Sequence, residues 1–553
     1  MKFRKYLFPF FIISIITCLI LLPDLIFFLR NHVYNYAISG FFIVTALLLI
    51  PVLLFYRNLR IYYWVLIILV SLAPIMLMPV FYMNIQVNAE MVGLVMDTNK
   101  GEVMELLGWK LLLVVIAIFF SGWVLFRLTQ LLPNKISLKN GILLSIAGIL
   151  SFGLLPFIRS RKLEYYPIIA RNTFRTYYPF RLADAITLLR KEMSNMENYK
   201  LNTANFKFGT HKKDSSDTQR KIHILVLGEA SRYDHWQING YNRNTNPQIN
   251  TLKNLFSFHD VASGGSMTIF SIPQLISKAD AATYDRHKKE KSILAAFKEA
   301  GYYTAWISNQ SKYGLTGNIG MHFNDGDTAI FCGHGENEGN FTGSFDENLL
   351  VKIEEVLKAK PDKDIFLVVH LIGSHWRYGL RYPEKFEQFK PVSDRNRSLI
   401  TRPPLEQIIN EYDNSILYSD YIIKKIANFI NQPKVKGTIL FVSDHGENLG
   451  EDGMYFHSYK PTFYTAKVPL FVWANDLYVS SHPDIMKNLE RNINQKISSS
   501  ESVFYTMIDM GRLTLNDPDT VKSLTNKNFL QSRQIILGDN GKLYNFSDLK
   551  KKN

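Results

Sequence analysis

Four places in this sequence set a polar, chemically useful side chain close behind a run of β-forming apolar residues. Glu229 follows Ile222–Leu227, Asn309 follows Tyr303–Ile307, His375 comes shortly after Ile365–Val369, and Asp444-His445 follows Thr438–Val442. A single case is what any strand end offers. Carboxylates and imidazoles at several ends point to a metal site built from distant parts of the chain, because open α/β sheets bind ligands beyond their strands' carboxyl ends. Oxygen and nitrogen donors without thiolates suit zinc or manganese. Asp444 and His445 are neighbours, so both reach one ion only where the strand turns into a loop, a turn that Gly446 permits. The run Gly264-Gly265-Ser266-Met267 leads into Thr268 at a helix start, where backbone N–H groups can receive a phosphate. Taken alone, Thr268 reads as an N-cap. Beside a metal it reads as a nucleophile, since a hydroxyl attacks usefully only when a base or a metal stabilises its alkoxide.

These residues need a scaffold. From Lys221 onward, short apolar runs alternate with helical stretches such as Ser292–Ala300 and Leu405–Ile430, and Val468–Trp473 and Gln534–Leu537 read as two further strands. Near-continuous apolar strands separated by helices predict a mostly parallel central sheet covered on both faces. His370, at the end of its strand, reads as a core histidine. His334, in Cys332-Gly333-His334-Gly335, has only its residue type to suggest a ligand.

The first 160 residues differ in kind. They hold twelve basic and five acidic side chains, while the remainder holds 51 and 43, within a total formal charge of +15. That asymmetry excludes a fully cytosolic protein, a disordered chain and a coiled coil. Apolar runs at Tyr6–Leu29, Tyr36–Tyr56, Ile61–Met83, Trp109–Phe126 and Gly141–Ile158 approach the length of about 20 residues that a bilayer core requires. Basic residues at 2, 4 and 5, at 57 and 60, and at 127, 135 and 139 occupy alternate loops, which places the N-terminus in the cytoplasm and everything after the fifth span outside. The expected organisation is a five-helix transmembrane domain over 1–160, an aromatic and arginine-rich interfacial segment and linker over 161–220, and a soluble catalytic domain over 221–553. Two cysteines, Cys18 and Cys332, exclude a disulfide framework.

The motifs taken in order resemble membrane-bound phosphoethanolamine transferases of the alkaline-phosphatase/sulfatase superfamily. The resemblance rests on Gly228-Glu229, Asn239-Gly240-Tyr241-Asn242-Arg243-Asn244-Thr245-Asn246-Pro247, Ser266–Pro273, Ile372-Gly373-Ser374-His375, Tyr412-Asp413-Asn414 and Ser443-Asp444-His445-Gly446-Glu447-Asn448-Leu449-Gly450-Glu451. It implies an alkaline-phosphatase-like α/β domain behind a membrane anchor in the bacterial inner membrane, with the catalytic domain in the periplasm. By the same resemblance Glu229, Thr268, Asp444 and His445 match zinc ligands, with Thr268 also the nucleophile. His375 and His457 match residues facing the substrate phosphate or a second zinc. Asn309 and Lys312 stand where a donor headgroup could be touched, and read equally as ordinary loop. Thr98 and Glu102 match a periplasmic loop near the lipid substrate. The implied cofactor is one tightly bound zinc, with a second as the alternative. The implied donor is phosphatidylethanolamine; the acceptor is lipopolysaccharide, in its core or lipid A, or another envelope glycan. With Cys332 the one cysteine outside the membrane half, the chain resembles the disulfide-poor branch that decorates core sugars.

Two rivals bound this reading. A phosphoglycerol transferase of the same superfamily would draw on phosphatidylglycerol. A non-catalytic envelope scaffold has no need of Glu229, Thr268, Asp444 and His445 together. No nucleic-acid-binding module is visible, and the net charge of the outer part reads as solubility and affinity for an anionic surface.

Overall fold

The computed structural model describes residues 2–30, 34–83, 86–87, 92, 109–153, 175–310, 317–332, 345–395, 403–458, 460–538 and 541–551. The chain divides into two compact units, one over Met1–Arg190 and the other over Lys191–Glu336, Phe341–Arg395 and Pro403–Asn553. Thr98, Glu102, Lys312 and His334 lie outside the described residues.

In the first unit the apolar runs form helices Lys2–Arg30, Tyr34–Leu49, Leu59–Met83, Trp109–Thr129 and Leu138–Gly153. Among the described residues, Tyr36–Leu53 and Leu59–Leu77, with mean hydropathies of 2.3 and 1.9, are long and apolar enough to cross a membrane; Val115–Thr129 and Leu138–Gly153 are apolar but shorter. Asp24, the acidic residue of helix Lys2–Arg30, is buried. Its carboxylate accepts hydrogen bonds from Gln86 Nε2 at 2.6 Å and from the Tyr178 backbone N–H at 2.7 Å, so it ties parts of this unit together.

The second unit is built on a seven-stranded sheet. Its strands are β1 (Arg220–Gly228), β2 (Leu255–Phe258), β3 (Tyr303–Ser308), β4 (Thr328–Phe331), β5 (Ile365–His370), β6 (Val435–Ser443) and β7 (Leu470–Ala474), in the spatial order β2-β7-β6-β1-β5-β3-β4. β6, β1, β5, β3 and β4 run parallel, and β7 is antiparallel to both β6 and β2. Strand side chains alternate between faces, so the continuous apolar run of β1 feeds two cores. Leu225 and Leu227 pack with Ile272, Phe297 and Phe504 on one face. Ile224 and Val226 pack with Ile416, Ile423 and Ile426 of helix Leu405–Ile430 on the other. Each fully buried side chain of this kind is worth about 1.5–3 kcal/mol, which stiffens the central strands whose ends carry the chemistry.

Two sequence expectations need adjustment. Residues Ile535–Leu537 are a strand, but they pair with Leu543–Asn545 in a separate two-stranded sheet. Within the stretch read as linker, Phe208 is buried in the core and His211–Lys212 pairs antiparallel with Leu513–Thr514, so this part of the chain packs on the domain.

Candidate active site

Parallel register brings the strand ends together. Gly228 at the end of β1 lies beside Ser443 at the end of β6, and Leu227 lies beside His370 at the end of β5. The residues just beyond, Glu229 and Asp444-His445, therefore meet, and one carboxylate oxygen of each acid and a His445 ring nitrogen lie within 4.8 Å of one another, all buried. Close approach fixes the turns. A Cβ on Gly446 would sit 2.1 Å from the Tyr464 carbonyl oxygen, and Gly373 has φ +49° with the Glu229 backbone 3.0 Å from where its Cβ would be. Only glycine fits the first position without displacing backbone, and it is favoured at the second by conformation as well.

Thr268 opens helix Thr268–Leu275. Its Oγ1 lies 3.1 and 3.3 Å from the two carboxylate oxygens of Glu229 and 3.1 Å from His445 Nε2. His445 Nδ1 donates to the Gly446 carbonyl at 2.8 Å, which turns Nε2 toward Glu229 Oε1 at 3.3 Å and Asp444 Oδ2 at 3.4 Å. Glu229 Oε2 also accepts from Gln310 Nε2 at 2.9 Å. Asp444 Oδ1 accepts from the backbone N–H groups of Ala230 and His445 at 3.1 and 2.7 Å. Its Oδ2 is buried with no hydrogen-bond partner among the described residues.

An orphaned carboxylate oxygen in a dry pocket costs several kcal/mol unless something positive completes it. The electrostatics agree. Burial works against a charge on His445, but Asp444 and Glu229 raise it to about 10. Burial also opposes ionisation of Glu229, yet the His445 hydrogen bond and charge hold it below the usual carboxylate range. Asp444 is pushed upward by burial and by the charge of Glu229. This pocket calls for a cation where Asp444 Oδ2, Glu229 and His445 Nε2 converge, and two carboxylates with one imidazole form a donor set that fits zinc.

The remaining sequence-selected residues fall around this centre. The His457 ring lies 4.1 Å from that of His445 between centroids, and His375 is 6.4 Å from His457. His457 Nδ1 is 3.3 Å from Glu447 Oε1. Burial and the charge of Arg381 push His375 down to about 3, so it is neutral at neutral pH. The Asn309 side chain is buried and donates to Asp346 Oδ1 at 2.8 Å. His370 is a core residue, with Nδ1 3.3 Å from Ser308 Oγ; Nε2 has no partner among the described residues.

Several contributors were not singled out from sequence. Asp346 is fully buried and accepts from Asn309 and from the Ile372 and Gly373 N–H groups, anchoring the loop that leads to His375. Gln310 bridges Glu229 and the Leu371 carbonyl. Arg381 is buried beside His375. Glu447, within the Ser443–Glu451 motif, is buried and backs His457. Two other motifs turn out to brace the site. Tyr412 hydroxyl donates to the Ala230 carbonyl at 2.7 Å, while Asp413 takes hydrogen bonds from His235, Tyr241 and Arg243, joining the segment after Glu229 to helix Leu405–Ile430.

Comparison with known proteins places this geometry in context. The phosphoethanolamine transferase EptC of Escherichia coli (strain K12) is 24% identical over 462 residues, covering 80% of this chain and 78% of that one. The crystal structure of the periplasmic domain of E. coli EptC in complex with zinc superposes with a TM-score of 0.54 at 24% identity, over 62% of this chain and 96% of that one. The integral membrane lipooligosaccharide phosphoethanolamine transferase A of Neisseria meningitidis covers 93% of this chain and 96% of its own, with a TM-score of 0.51 at 22% identity. The periplasmic domain shares the mostly parallel α/β fold seen here, the integral membrane protein shares an apolar helical region followed by that domain, and together with the EptC sequence match they bear out the resemblance drawn from the motifs. The profile of the sulfatase family matches residues 221–511, the span that holds all of the sheet but Arg220 together with Thr268 and the buried Glu229, Asp444 and His445, and the chain belongs to that family.

Proposed function

We propose that this protein is a zinc-dependent phosphoethanolamine transferase of the bacterial inner membrane, with its catalytic domain in the periplasm. It moves phosphoethanolamine from phosphatidylethanolamine to lipopolysaccharide, in the core or lipid A, or to another envelope glycan. The observation that carries this reading is the position of Thr268 Oγ1, at a helix N-terminus and within 3.3 Å of Glu229 and His445.

The chemistry divides among the chain's own residues. Thr268 Oγ1 attacks phosphorus, the bond to the diacylglycerol oxygen breaks, and the group rests on the threonine until an acceptor oxygen displaces it. The N–H groups of the helix's first turn favour the phosphoryl oxygens, as at other helix N-termini. Glu229 Oε2, which accepts from the hydroxyl, orients the attacking lone pair. Glu229, Asp444 and His445, with Thr268, would hold zinc, and the bound ion would supply positive charge that favours the ionised hydroxyl and offsets charge developing at phosphorus. His457, backed by Glu447, is placed to handle the proton of the leaving or entering oxygen. The membrane unit keeps the domain beside a lipid donor.

Purified full-length protein supplied with headgroup-labelled phosphatidylethanolamine or phosphatidylglycerol tests the assignment. Label transferred from the ethanolamine lipid alone supports it. Transfer from phosphatidylglycerol alone would replace it with the phosphoglycerol reading.

A further inference from the structure

Three histidines stand ring beside ring at the site, His445 against Thr268, His457 next to it and His375 beyond, and the Nδ1 atom of each is committed to a partner. For His445 the partner is the Gly446 carbonyl, at 2.8 Å. For His457 it is the Glu447 carboxylate, at 3.3 Å. Both partners only accept, so both Nδ1 atoms carry hydrogen and each ring turns its other nitrogen outward as the one able to hold a metal or a moving proton. His375 is the opposite case. Its Nδ1 lies 3.2 Å from Arg381 Nη2. A guanidinium has donors and no acceptor, so Nδ1 must supply the lone pair and the ring hydrogen must reside on Nε2.

Arg381 is held firmly in this role. It is 2% exposed, its Nε donates to the His375 carbonyl at 3.1 Å, and Nη2 also donates to the Trp376 carbonyl at 2.8 Å. The fork therefore grips the two successive carbonyls that follow the His375 ring it faces, and it is planar and pre-organised in a way that a lysine is not.

We propose that Arg381 is a positioning residue that locks His375 in the tautomer protonated on Nε2, so that His375 donates a hydrogen bond to a phosphate oxygen of the substrate and does not ligate a second metal ion. With His375 removed from the ligand pool, the His457 and Glu447 left beside it among the described residues are too few to complete a second tight site, and the chain holds one tight zinc. This inference rests on the phosphotransfer reading above.

The test uses the full-length protein in detergent, dialysed against zinc-buffered solutions, with bound zinc counted by elemental mass spectrometry and transfer followed from labelled phosphatidylethanolamine. Wild type, His375→Gln and His375→Ala should each hold one zinc, with affinities within about threefold. The glutamine amide places an N–H near the position of imidazole Nε2, so His375→Gln should keep transfer within about tenfold of wild type, while His375→Ala loses about a hundredfold or more. Arg381→Met should lower transfer at unchanged zinc affinity, and Arg381→Lys should recover part of it. In nitrogen-15 spectra of labelled histidine, His375 should show a protonated Nε2 and an unprotonated Nδ1; should Arg381→Met fail to fold, this spectrum and the His375 variants carry the test. Two tight zinc ions in wild type with one lost in both His375 variants, a metal-bound His375 nitrogen, or His375→Gln no better than His375→Ala would each overturn the proposal. If wild type transfers nothing from phosphatidylethanolamine, the functional reading fails separately, and zinc count and nitrogen shifts still decide the tautomer.

Discussion

Replacing Asp346 tests whether the loop leading to His375 is held in place from behind. The carboxylate is fully buried and takes three hydrogen bonds, from Asn309 Nδ2 at 2.8 Å, the Ile372 N–H at 2.9 Å and the Gly373 N–H at 3.1 Å. Asp346→Ala strands two backbone donors and an amide in a dry interior. At about 1–3 kcal/mol for each stranded donor, less the relief of no longer burying a carboxyl, the net loss is about 3–5 kcal/mol. Asp346→Asn keeps one acceptor oxygen for Asn309 and Ile372 but sets an amide N–H against that of Gly373, a loss of about 2 kcal/mol. For a domain of about 330 residues, at roughly 2.1 cal/mol/K of unfolding entropy per residue, those figures correspond to a fall in Tm of roughly 4–7 °C for alanine and roughly 3 °C for asparagine. Melting of the zinc-loaded protein, followed by tryptophan fluorescence, measures the order directly. Transfer activity should fall in the same order, because the slackened loop carries His375, while zinc affinity stays near wild type. Both variants melting within about 1 °C of wild type (less than the effect of about 1 kcal/mol) would refute the reasoning.

Asp444→Ala and His445→Ala should lose transfer and zinc while the domain remains soluble and melts cooperatively, since two cores flank the sheet without help from the metal; outright unfolding of both would make the site structural. His223, buried against Phe297, Tyr302 and Tyr478, is pushed down by burial to about 3, so its neutral form stabilises the fold fully above the ordinary histidine value and loses that contribution as pH falls. Between pH 8 and 5.5 the loss is about 1.4 kcal/mol, and denaturation midpoints of His223→Leu should fall less over that range by this amount; an unchanged pH slope would contradict the argument. A reporter that works only outside the cytoplasm should be active when fused after Arg220 and inactive after Asn134, and the opposite pattern would remove access to the donor lipid.

Much of the fold was legible because its central strands are long, apolar on both faces and spaced by helices. Helix Leu405–Ile430 shows its bounds in its apolar spacing. The edge strands β2 and β4 were not legible: Leu255–Phe258 and Thr328–Phe331 are four residues each and largely half-buried, too short for alternation to register. Ile535–Leu537 reads as a strand, but three residues carry no information about which sheet they join. At the site, the order of motifs brought out Glu229, Thr268, Asp444 and His445, which the structure brings into contact. Asp346, Gln310 and Arg381 were invisible because each is defined by a distant partner rather than by its neighbours in sequence. A buried arginine in particular looks from sequence like any surface cation. Asn309 illustrates the converse, a polar strand-end residue whose side chain turns back to Asp346.

The central claim is that Thr268 carries the transferred group. The most direct measurement is peptide mass analysis of full-length protein incubated with phosphatidylethanolamine and no acceptor. The account predicts one phosphoethanolamine on the peptide containing Thr268, released when acceptor is added, and neither adduct nor transfer in Thr268→Ala, which has no oxygen to bond to phosphorus. Full transfer by the alanine variant, or an adduct on another residue, would contradict it and leave direct attack by the acceptor as the mechanism.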